Sequence, residues 1–333
     1  MSNVLVTGGA GYVGSVCCAE LLRLGHSVTV IDDLSTGFRE AVPSGATFFQ
    51  FDLGDRSAIQ SLLKNHFDVV FHFAAKALVA ESVSDPGVFF QSNVASSITL
   101  LEALRQAQVR NFVFSSSAAV YGVPQKTPID EDDPKDPVNS YGETKLMLER
   151  ALDWYARAYG WSVIALRYFN AAGATAELGE RHQPETHIIP ILLEVAAGER
   201  QFFSIYGDDY PTPDGTCLRD YVHVLDIARA HICALSKMNQ PGMRAYNIGL
   251  GKSYSVQDVC RVVEKIVGRS VSMQIEKRRP GDPAVLCASP ARIMRDLGWK
   301  PEHSSLEEII SSAWQWKQRV LNLPRTKREA PTV

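Results

Sequence analysis

The start of the chain contains the parts of a βαβ unit in their required order. Residues 3–7 are apolar and β-branched, which predicts a buried strand, and a glycine-rich run over residues 8–14 follows directly. A helix-spaced apolar pattern comes next, and a second strand over residues 27–31 ends at Asp32. This order predicts an α/β fold in which two parallel strands are joined by a helix.

The same segment has the chemistry of a dinucleotide site. Gly8, Gly11 and Gly14 would let the backbone turn tightly and approach a pyrophosphate, whose charge meets the N–H groups at the helix start. Asp32 can accept hydrogen bonds from the adenosine ribose, and Asp32 with Asp33 would repel a 2′-phosphate, which favours NAD over NADP. Glycines alone also make ordinary turns, but the complete order of strand, glycines, helix, strand and acid predicts the cofactor site.

Composition limits the other classes of function. The 333 residues are 45% hydrophobic and 21% charged with a net charge of −3, so we expect an ordinary globular chain without a basic surface for nucleic acid. No apolar run of about 18 residues predicts a membrane span, and the N-terminus lacks the features of a signal peptide. Six cysteines form no C-x-x-C pair and eight histidines form no spaced ligand pair. We therefore expect a cytoplasmic protein without a metal site.

Strand and helix patterns continue to alternate through the first half of the chain. Strands are predicted at 47–51, 68–73, 111–115 and 162–166, and helices at 56–65, 90–108 and 141–159. Alternation of this kind builds a doubly wound parallel sheet through right-handed crossovers.

Beyond residue 170 the pattern becomes irregular and rich in proline. Helices are predicted at 187–198, 224–238, 255–268 and 305–320, and strands at 202–206, 245–248 and 271–275. We expect a nucleotide-binding domain over 1–170 and a smaller C-terminal α/β substrate-binding domain over 171–330, with a segment near 215–250 returning to the first. The polar tail over 326–333 is expected to fray.

Small or polar residues follow three of the predicted strands at their carboxyl ends, where ligands lie in such sheets. These residues are Asp52 and Leu53, then Phe73, Ala74 and Ala75, then Ser115, Ser116 and Ser117. Asp52 could hold the adenine, and the two alanines leave room for the cofactor. Any one of these groups could be an ordinary loop start, but the recurrence at three strand ends favours a ligand site.

A tyrosine and a lysine lie one turn apart on the helix predicted at 141–159. Tyr141 and Lys145 share a helix face, and a nearby ammonium group favours the phenolate form of a tyrosine whose ordinary pKa is about 10. Such a pair can exchange protons with a sugar hydroxyl. Tyrosine and lysine at this spacing usually lie on a solvated helix face. The catalytic interpretation therefore depends on the nucleotide-binding pattern and on the serine run upstream.

Longer motifs resemble the extended short-chain dehydrogenase/reductase family. They are SSSAAVYG at 115–122, LRYFN at 166–170, YGDDYPTPDGT at 206–216 and RDYVHV at 219–224, beside the G-x-x-G-x-x-G spacing. The resemblance extends from Thr7 to about Trp299. It implies a Rossmann-type fold, NAD as cofactor and inversion of carbon 4 of a UDP-hexose, which would interconvert UDP-glucose and UDP-galactose through a 4-keto sugar. It also implies a homodimer formed through the helices at 90–108 and 141–159.

The resemblance assigns roles to individual positions. As catalytic residues it implies Ser117, Tyr141 and Lys145, with Lys145 bonding the nicotinamide ribose. As cofactor-binding residues it adds Tyr12, Val13, Asn93, Ser115 and Tyr168 to those above. As substrate-binding residues it implies Ser117, Phe169, Asn170, His187, Ile188, Ser204, Ile205, Tyr206, Arg219, Arg279 and Asp282. The two arginines would bind the diphosphate, and Asp282 the uridine ribose.

Other activities of the same family stay open. A 4,6-dehydratase needs an acid beside the catalytic serine, and Ala118 and Ala119 occupy that place. A UDP-glucuronate or UDP-N-acetylglucosamine epimerase shares the fold, and Leu286 stands at a position where smaller residues accompany N-acetylated substrates. A non-catalytic NAD-binding protein would not need Ser117, Tyr141 and Lys145 together.

Overall fold

A seven-stranded parallel sheet forms the centre of the computed structural model, which describes residues 1–279 and 281–322. Its strands, in chain order, are β1 (Asn3–Thr7), β2 (Ser27–Asp32), β3 (Thr47–Gln50), β4 (Val69–His72), β5 (Asn111–Ser117), β6 (Ser162–Tyr168) and β11 (Gly242–Ile248). Their spatial order is β11-β6-β5-β4-β1-β2-β3, and every neighbouring pair is parallel. The predicted doubly wound, Rossmann-type sheet is confirmed. The polar tail predicted at 326–333 lies outside the described residues.

The remaining strands are short and lie outside this sheet. They are β7 (Asn170–Ala172), β8 (Phe203–Tyr206), β9 (Leu218–Arg219), β10 (Tyr221–His223), β12 (Tyr254–Ser255), β13 (Met273–Glu276) and β14 (Val285–Leu286). They form the pairs β7–β10 and β8–β13 and the three-stranded sheet β12-β9-β14.

Helices cover both faces of the central sheet and build the smaller part of the molecule. They are α1 (Tyr12–Arg23), α2 (Arg56–Leu62), α3 (Val79–Ser84), α4 (Pro86–Phe89), α5 (Ser96–Gln106), α6 (Ser140–Tyr159), α7 (Ile188–Ala197), α8 (Val224–Leu235), α9 (Val256–Val267), α10 (Ala291–Leu297) and α11 (Leu306–Leu321). A π-helical turn, Phe90–Ala95, joins α4 to α5, so the helix predicted at 90–108 begins as a π-helical turn and continues as α5 to Gln106. The short helices α3 and α10 were not predicted.

Three apolar clusters account for most of the core. One packs α1, α8 and α10 against one face of the central sheet, and a second packs α2, α5 and α6 against the other face. The third joins α7, α9 and α11 to β8 outside the sheet. In the described residues, no helix combines the length and apolar character needed to cross a membrane.

Two signals fix the ends of α6, the helix that carries Tyr141 and Lys145. The Asn139 side chain accepts a hydrogen bond from the Gly142 amide at 2.8 Å, which caps the first turn. Gly160 ends the helix in the left-handed region at φ 66°, where glycine has no steric penalty. These caps fix the first turn of α6 beside the carboxyl end of β5.

We predict that the core of the central sheet is sensitive to cavity formation at Ile164, which is fully buried in β6. Ile164→Ala should lower the free energy of unfolding by about 2–5 kcal/mol because the site cannot collapse between β5 and β11. Ile275 in β13 is 63% exposed, so Ile275→Ala provides the matched control and should change stability little. Denaturant titration of both variants measures the difference; equal effects would contradict this packing.

Candidate active site

A cavity of about 1310 Å³ lies beyond the carboxyl ends of the central strands. Ligand sites of single small molecules usually measure about 300–1,000 Å³, so this cavity has room for two. Its wall includes residues from the glycine-rich segment, from the ends of β2, β4, β5 and β6, and from the irregular segment before α7. The parallel sheet therefore brings together the ligand positions that the sequence predicts at one edge.

The glycine-rich turn needs glycine at two of its positions. Gly8 has a φ of 74°, and a Cβ at Gly14 would lie 2.2 Å from the Gly8 carbonyl oxygen. The Gly11 amide donates to that same oxygen at 3.2 Å, and among the described residues no side chain caps the start of α1. The turn thus places the uncapped helix start at the cavity wall, which suits an anionic group.

Asp32 both lines the cavity and holds the glycine-rich turn. Its carboxylate accepts hydrogen bonds from the Ala10 amide at 3.0 Å and from the Leu34 amide at 2.9 Å. Burial raises the pKa of Asp32, while those two backbone bonds act to lower it. Asp33 accepts from the Ser35 amide at 2.9 Å and also lies at the cavity wall. The acidic pair is therefore placed at the end of β2, as predicted.

Most of the other predicted cofactor residues line the cavity. These are Tyr12, Val13, Asp52, Leu53, Phe73, Ala74, Ala75, Ser115 and Tyr168. Asn93 lies behind the wall, where its side chain accepts from the Lys76 amide at 2.8 Å and donates to the Lys76 carbonyl at 3.0 Å. It also donates to Thr144 Oγ1 at 3.1 Å, so it ties the loop after β4 to α6.

Ser117, Tyr141 and Lys145 meet at the cavity wall, although they come from β5 and α6. Lys145 is only 4% exposed, and its Nζ donates to the Ser115 carbonyl at 2.8 Å. Its Nζ lies 5.8 Å from the centre of the Tyr141 ring. The Ser117 side chain acts to lower the pKa of Tyr141, and its Oγ accepts from the Ala119 amide at 3.1 Å.

The electrostatics of this pair differ from the sequence expectation. Burial raises the pKa of Tyr141, and the interaction with the Ser117 side chain opposes that change. Burial also lowers the pKa of Lys145 to about 7, against the attraction of Glu149. The phenolate is therefore not favoured in the protein by itself, because the low-dielectric surroundings disfavour the charged form of both groups.

A buried ion pair, which was not predicted, lies directly behind Ser116 and Ser117. Glu149, one turn beyond Lys145, accepts from Ser116 Oγ at 2.6 Å and from Arg167 at 2.9 Å and 2.6 Å. Arg167 also donates to the Tyr121 hydroxyl at 2.7 Å. The network joins β5, β6 and α6, so it holds the strand that carries Ser117 against the helix that carries Tyr141.

The predicted substrate residues occupy the other wall of the cavity. Those that line it are Phe169, Asn170, His187, Ile188, Ser204, Tyr206, Arg219, Arg279 and Asp282. Ile205 is only 7% exposed and packs in the third apolar cluster, so its side chain belongs to the core. The Arg279 guanidinium lies 3.8 Å from the centre of the Tyr206 ring.

Arg219 and Asp282, which the resemblance assigns to different parts of the ligand, are bound to each other. Their side chains form an ion pair that is 11% and 27% exposed, respectively. The pairing brings β9 to the loop that precedes β14. A ligand phosphate at Arg219 would therefore compete with the Asp282 carboxylate.

Four residues before α7 form a group that the sequence analysis missed. Glu180, His182, Glu185 and His187 each contribute one nitrogen or oxygen atom of the kind that binds metals, and these four atoms lie within 4.8 Å of one another. Burial acts to raise the pKa of Glu180, but attraction to His187 and His182 outweighs it and lowers the pKa to about 2. The alternating Glu-x-His pattern, repeated at 180–182 and 185–187, is the sequence signal that could have found this group.

Comparison with known proteins gives one consistent result. A model of the NAD dependent epimerase/dehydratase family matches residues 4–249. The chain is 47% identical over 313 residues to the UDP-glucose 4-epimerase of Corynebacterium glutamicum, with 94% of each chain covered. It is 42% identical over 332 residues to that of Bacillus subtilis, with 96% of this chain and 98% of the relative covered.

Solved structures resemble the chain over almost its full length. The UDP-glucose 4-epimerase from Brucella ovis in complex with NAD gives a TM-score of 0.91 at 44% identity, covering 94% of this chain and 98% of that one. The enzyme from Bifidobacterium longum in complex with NAD+ and UDP gives a TM-score of 0.92 at 33% identity, covering 98% and 100%. At these identities the chain resembles the solved structures in sequence as well as in fold.

The buried amino group of Lys145 predicts a pH-dependent effect on stability. The pKa is about 7 in the folded protein and 10.5 ordinarily, so the cost of burying the charge is complete below pH 7 and disappears as the pH rises to 10.5. Lys145→Met in NAD-free protein should therefore raise the melting temperature at pH 6, and the gain should shrink by pH 9.

The matched control is Lys64→Met, which removes an exposed lysine next to α2. Its melting temperature should follow that of the wild type at both pH values. If Lys145→Met were destabilising by the same amount at pH 6 and pH 9, burial of the charged Lys145 amino group would not destabilise the fold as proposed.

Proposed function

Since the chain belongs to the NAD dependent epimerase/dehydratase family, we propose that it is an isomerase that interconverts UDP-glucose and UDP-galactose. The observation that carries this proposal is the meeting of Ser117, Tyr141 and Lys145 at the wall of one cavity with room for two ligands. The relatives and solved structures named UDP-glucose 4-epimerase support it over the other activities of the family.

The residues of the chain fit NAD as the cofactor. A Cβ at Gly14 would fill the space beside the Gly8 carbonyl, so the glycine-rich turn is shaped for close approach of a ligand backbone. The turn and the start of α1 would hold the pyrophosphate, Asp32 and Asp33 the adenosine ribose, and Lys145 the nicotinamide ribose. NAD held there would supply the hydride-accepting and hydride-donating chemistry that inversion at carbon 4 of the sugar needs.

Tyr141 is the proposed acid and base. Its hydroxyl would take the proton of the hexose 4-hydroxyl as carbon 4 becomes a ketone, and would give it back when the ketone is reduced. The Ser117 side chain also lines the cavity and acts to lower the pKa of Tyr141, so it can orient or relay that proton. Because burial raises the pKa of Tyr141, the positive charge needed to stabilise its phenolate has to come from Lys145 and the occupied site.

Binding energy would be concentrated on the nucleotide part of the substrate. Arg219 and Arg279 would bind the diphosphate, Asp282 the uridine ribose, and Tyr206 with Ser204 the uracil, with Asn170 and Phe169 nearer the sugar. Anchoring UDP while the hexose stays loosely held lets a 4-keto sugar turn over and present its other face. We further propose that residues 1–170 supply the NAD site and residues 171–330 the UDP-sugar site, with 215–250 returning to the first part.

A 4,6-dehydratase is not supported. Such an enzyme needs an acid beside the catalytic serine, whereas Ala118 and Ala119 line the cavity there. Leu286 also lines the cavity, packed against the apolar cluster around Ala118, and would set the room for the group at carbon 2 of the sugar.

We predict that Tyr141→Phe abolishes epimerisation while leaving NAD bound. Loss of the phenol removes the acid and base, which is worth about 10²–10⁴ in rate, but leaves the ring in place. The measurement is formation of UDP-galactose from UDP-glucose, together with the NAD released on denaturation. Tyr159→Phe, the same change at an exposed tyrosine of the same helix, should keep the wild-type rate. Substantial turnover by Tyr141→Phe would require another base.

We also propose a cytoplasmic homodimer formed through the helices predicted at 90–108 and 141–159. Large apolar side chains are exposed on or beside these helices: Trp154 at 68%, Val83 at 66%, Met147 at 38% and Phe90 at 36%. They lie on α6, on α3 and on the π-helical turn, and the latter two elements both pack against α6. All six cysteines are free, which supports a reducing compartment.

The dimer proposal predicts a mass in solution of twice 36.7 kDa by light scattering. Trp154→Glu should shift the protein toward the mass of one chain, because a charge would be buried at the centre of the interface. Ile275→Glu, at an exposed isoleucine of β13, is the control and should leave the mass unchanged. A wild-type mass of one chain would overturn the proposal.

A further inference from the structure

The group formed by Glu180, His182, Glu185 and His187, called here the Glu–His cluster, takes no part in the proton and hydride transfer proposed above, although His187 is also among the predicted substrate-binding residues. It lies on the extended segment before α7, and three of its members line the large cavity. The ring of His182 is 6.3 Å from the ring of Tyr12, the first residue of α1, centre to centre. The cluster, which is part of the segment before α7, therefore lies next to the start of α1.

Its polar atoms converge instead of forming separate pairs. Nδ1 of His187 lies 2.7 Å from Oε1 of Glu180 and 3.0 Å from Oε1 of Glu185. Nδ1 of His182 lies 2.8 Å from the same Glu180 oxygen. One imidazole nitrogen carries at most one proton, so His187 cannot donate a full hydrogen bond to both carboxylates. Convergence of this kind is typical of atoms that share a cation.

Both carboxylates are held in place and nearly removed from solvent. The side chains of Glu180 and Glu185 are 8% and 6% exposed. Oε1 of Glu185 also accepts hydrogen bonds from the amides of Thr186 and His187, each at 2.8 Å, which fixes its orientation. Two buried carboxylates require compensating positive charge, and the imidazoles provide it only when protonated.

The position of the cluster increases the need for a compensating positive charge. Glu180 lines a cavity whose other walls suit anionic groups: the start of α1 on one side, and Arg219 and Arg279 on another. With neutral imidazoles, the two carboxylates of the cluster would repel a diphosphate in that cavity. A bound divalent cation would cancel their two negative charges.

We propose that the Glu–His cluster binds a divalent transition-metal cation such as Zn²⁺ through two imidazole nitrogens and two carboxylate oxygens. Imidazole and carboxylate are the usual nitrogen and oxygen ligands of such ions, and four ligands complete a tetrahedral site. The four atoms lie within 4.8 Å of one another, and metal–ligand distances of about 2.0–2.2 Å would require the hydrogen-bonded pairs to move apart around the ion. The sequence expectation of no metal site considered histidine spacing alone and left out the two glutamates.

Binding of the metal alone tests the proposal independently of epimerase activity. The purified chain is stripped with a chelator, and Zn²⁺ binding is measured by equilibrium dialysis with elemental analysis. Co²⁺ is then used as a spectroscopic probe, because its visible absorption reports the coordination geometry and ligands. We expect one ion per chain and a Co²⁺ spectrum of mixed nitrogen and oxygen ligation. Absence of a bound ion in the wild-type chain overturns the proposal and leaves a hydrogen-bonded cluster.

Substitutions of residues in the Glu–His cluster test whether the ion binds there. Glu180→Gln and His182→Ala each remove one ligand and should weaken binding by at least the roughly 10- to 100-fold that loss of a supporting contact costs. The control is the double variant His303→Ala, Glu308→Gln, which removes an isolated pair whose Nδ1 and Oε1 lie 2.7 Å apart. This control should bind the ion as the wild type does. Unchanged affinity in both cluster variants, with circular dichroism showing that they are folded, would place the ion elsewhere and overturn the assignment.

Discussion

The burial of Lys145 between α6 and β5 is the constraint on which the rest of the site depends. Its amino group donates to the Ser115 carbonyl, and Glu149 on the next turn of α6 accepts from Ser116, so two consecutive strand residues are tied to one helix face. With α6 held in this way, Tyr141 comes to lie beside Ser117. Burying a charged amino group has an unfavourable free energy, and such burial occurs at functional sites where the chemistry needs a positive charge close to a phenol.

The size of the cavity follows from the topology. Parallel strands place all their carboxyl ends at one edge, so the glycine-rich turn after β1 and the serines after β5 face the same space. The smaller part of the molecule, built on α7, α9 and α11, supplies the opposite wall. A redox cofactor and a sugar nucleotide can then share one cavity, as a reaction requires in which a ketone is formed and reduced within a single binding event.

Long periodic segments were predictable from the sequence because their apolar spacing is set by the face that they bury. The strands of the central sheet and helices such as α6 and α9 belong to this group. The helix α3 has only six residues and several exposed apolar side chains, so it carries no periodic signal. The residues of the cavity wall could be predicted from motifs, since the glycine spacing and the Tyr141–Lys145 pair are local patterns.

Contacts between distant parts of the chain could not be predicted in the same way. The pairing of Arg219 with Asp282 and of Glu149 with Arg167 depends on where the folded chain places each side chain. The direction of the pKa change at Tyr141 was expected to follow its lysine neighbour, but it follows burial, and a sequence does not show how completely a helix face is covered.

The most direct test of the account is the fate of the hydrogen on carbon 4 of the sugar. UDP-glucose labelled with deuterium at that carbon is converted in ordinary water, and the UDP-galactose formed is analysed by mass spectrometry and NMR. If hydrogen leaves carbon 4 as a hydride and returns to its other face inside the closed site, the product keeps the label at carbon 4. Replacement of the label by hydrogen from water would contradict the account.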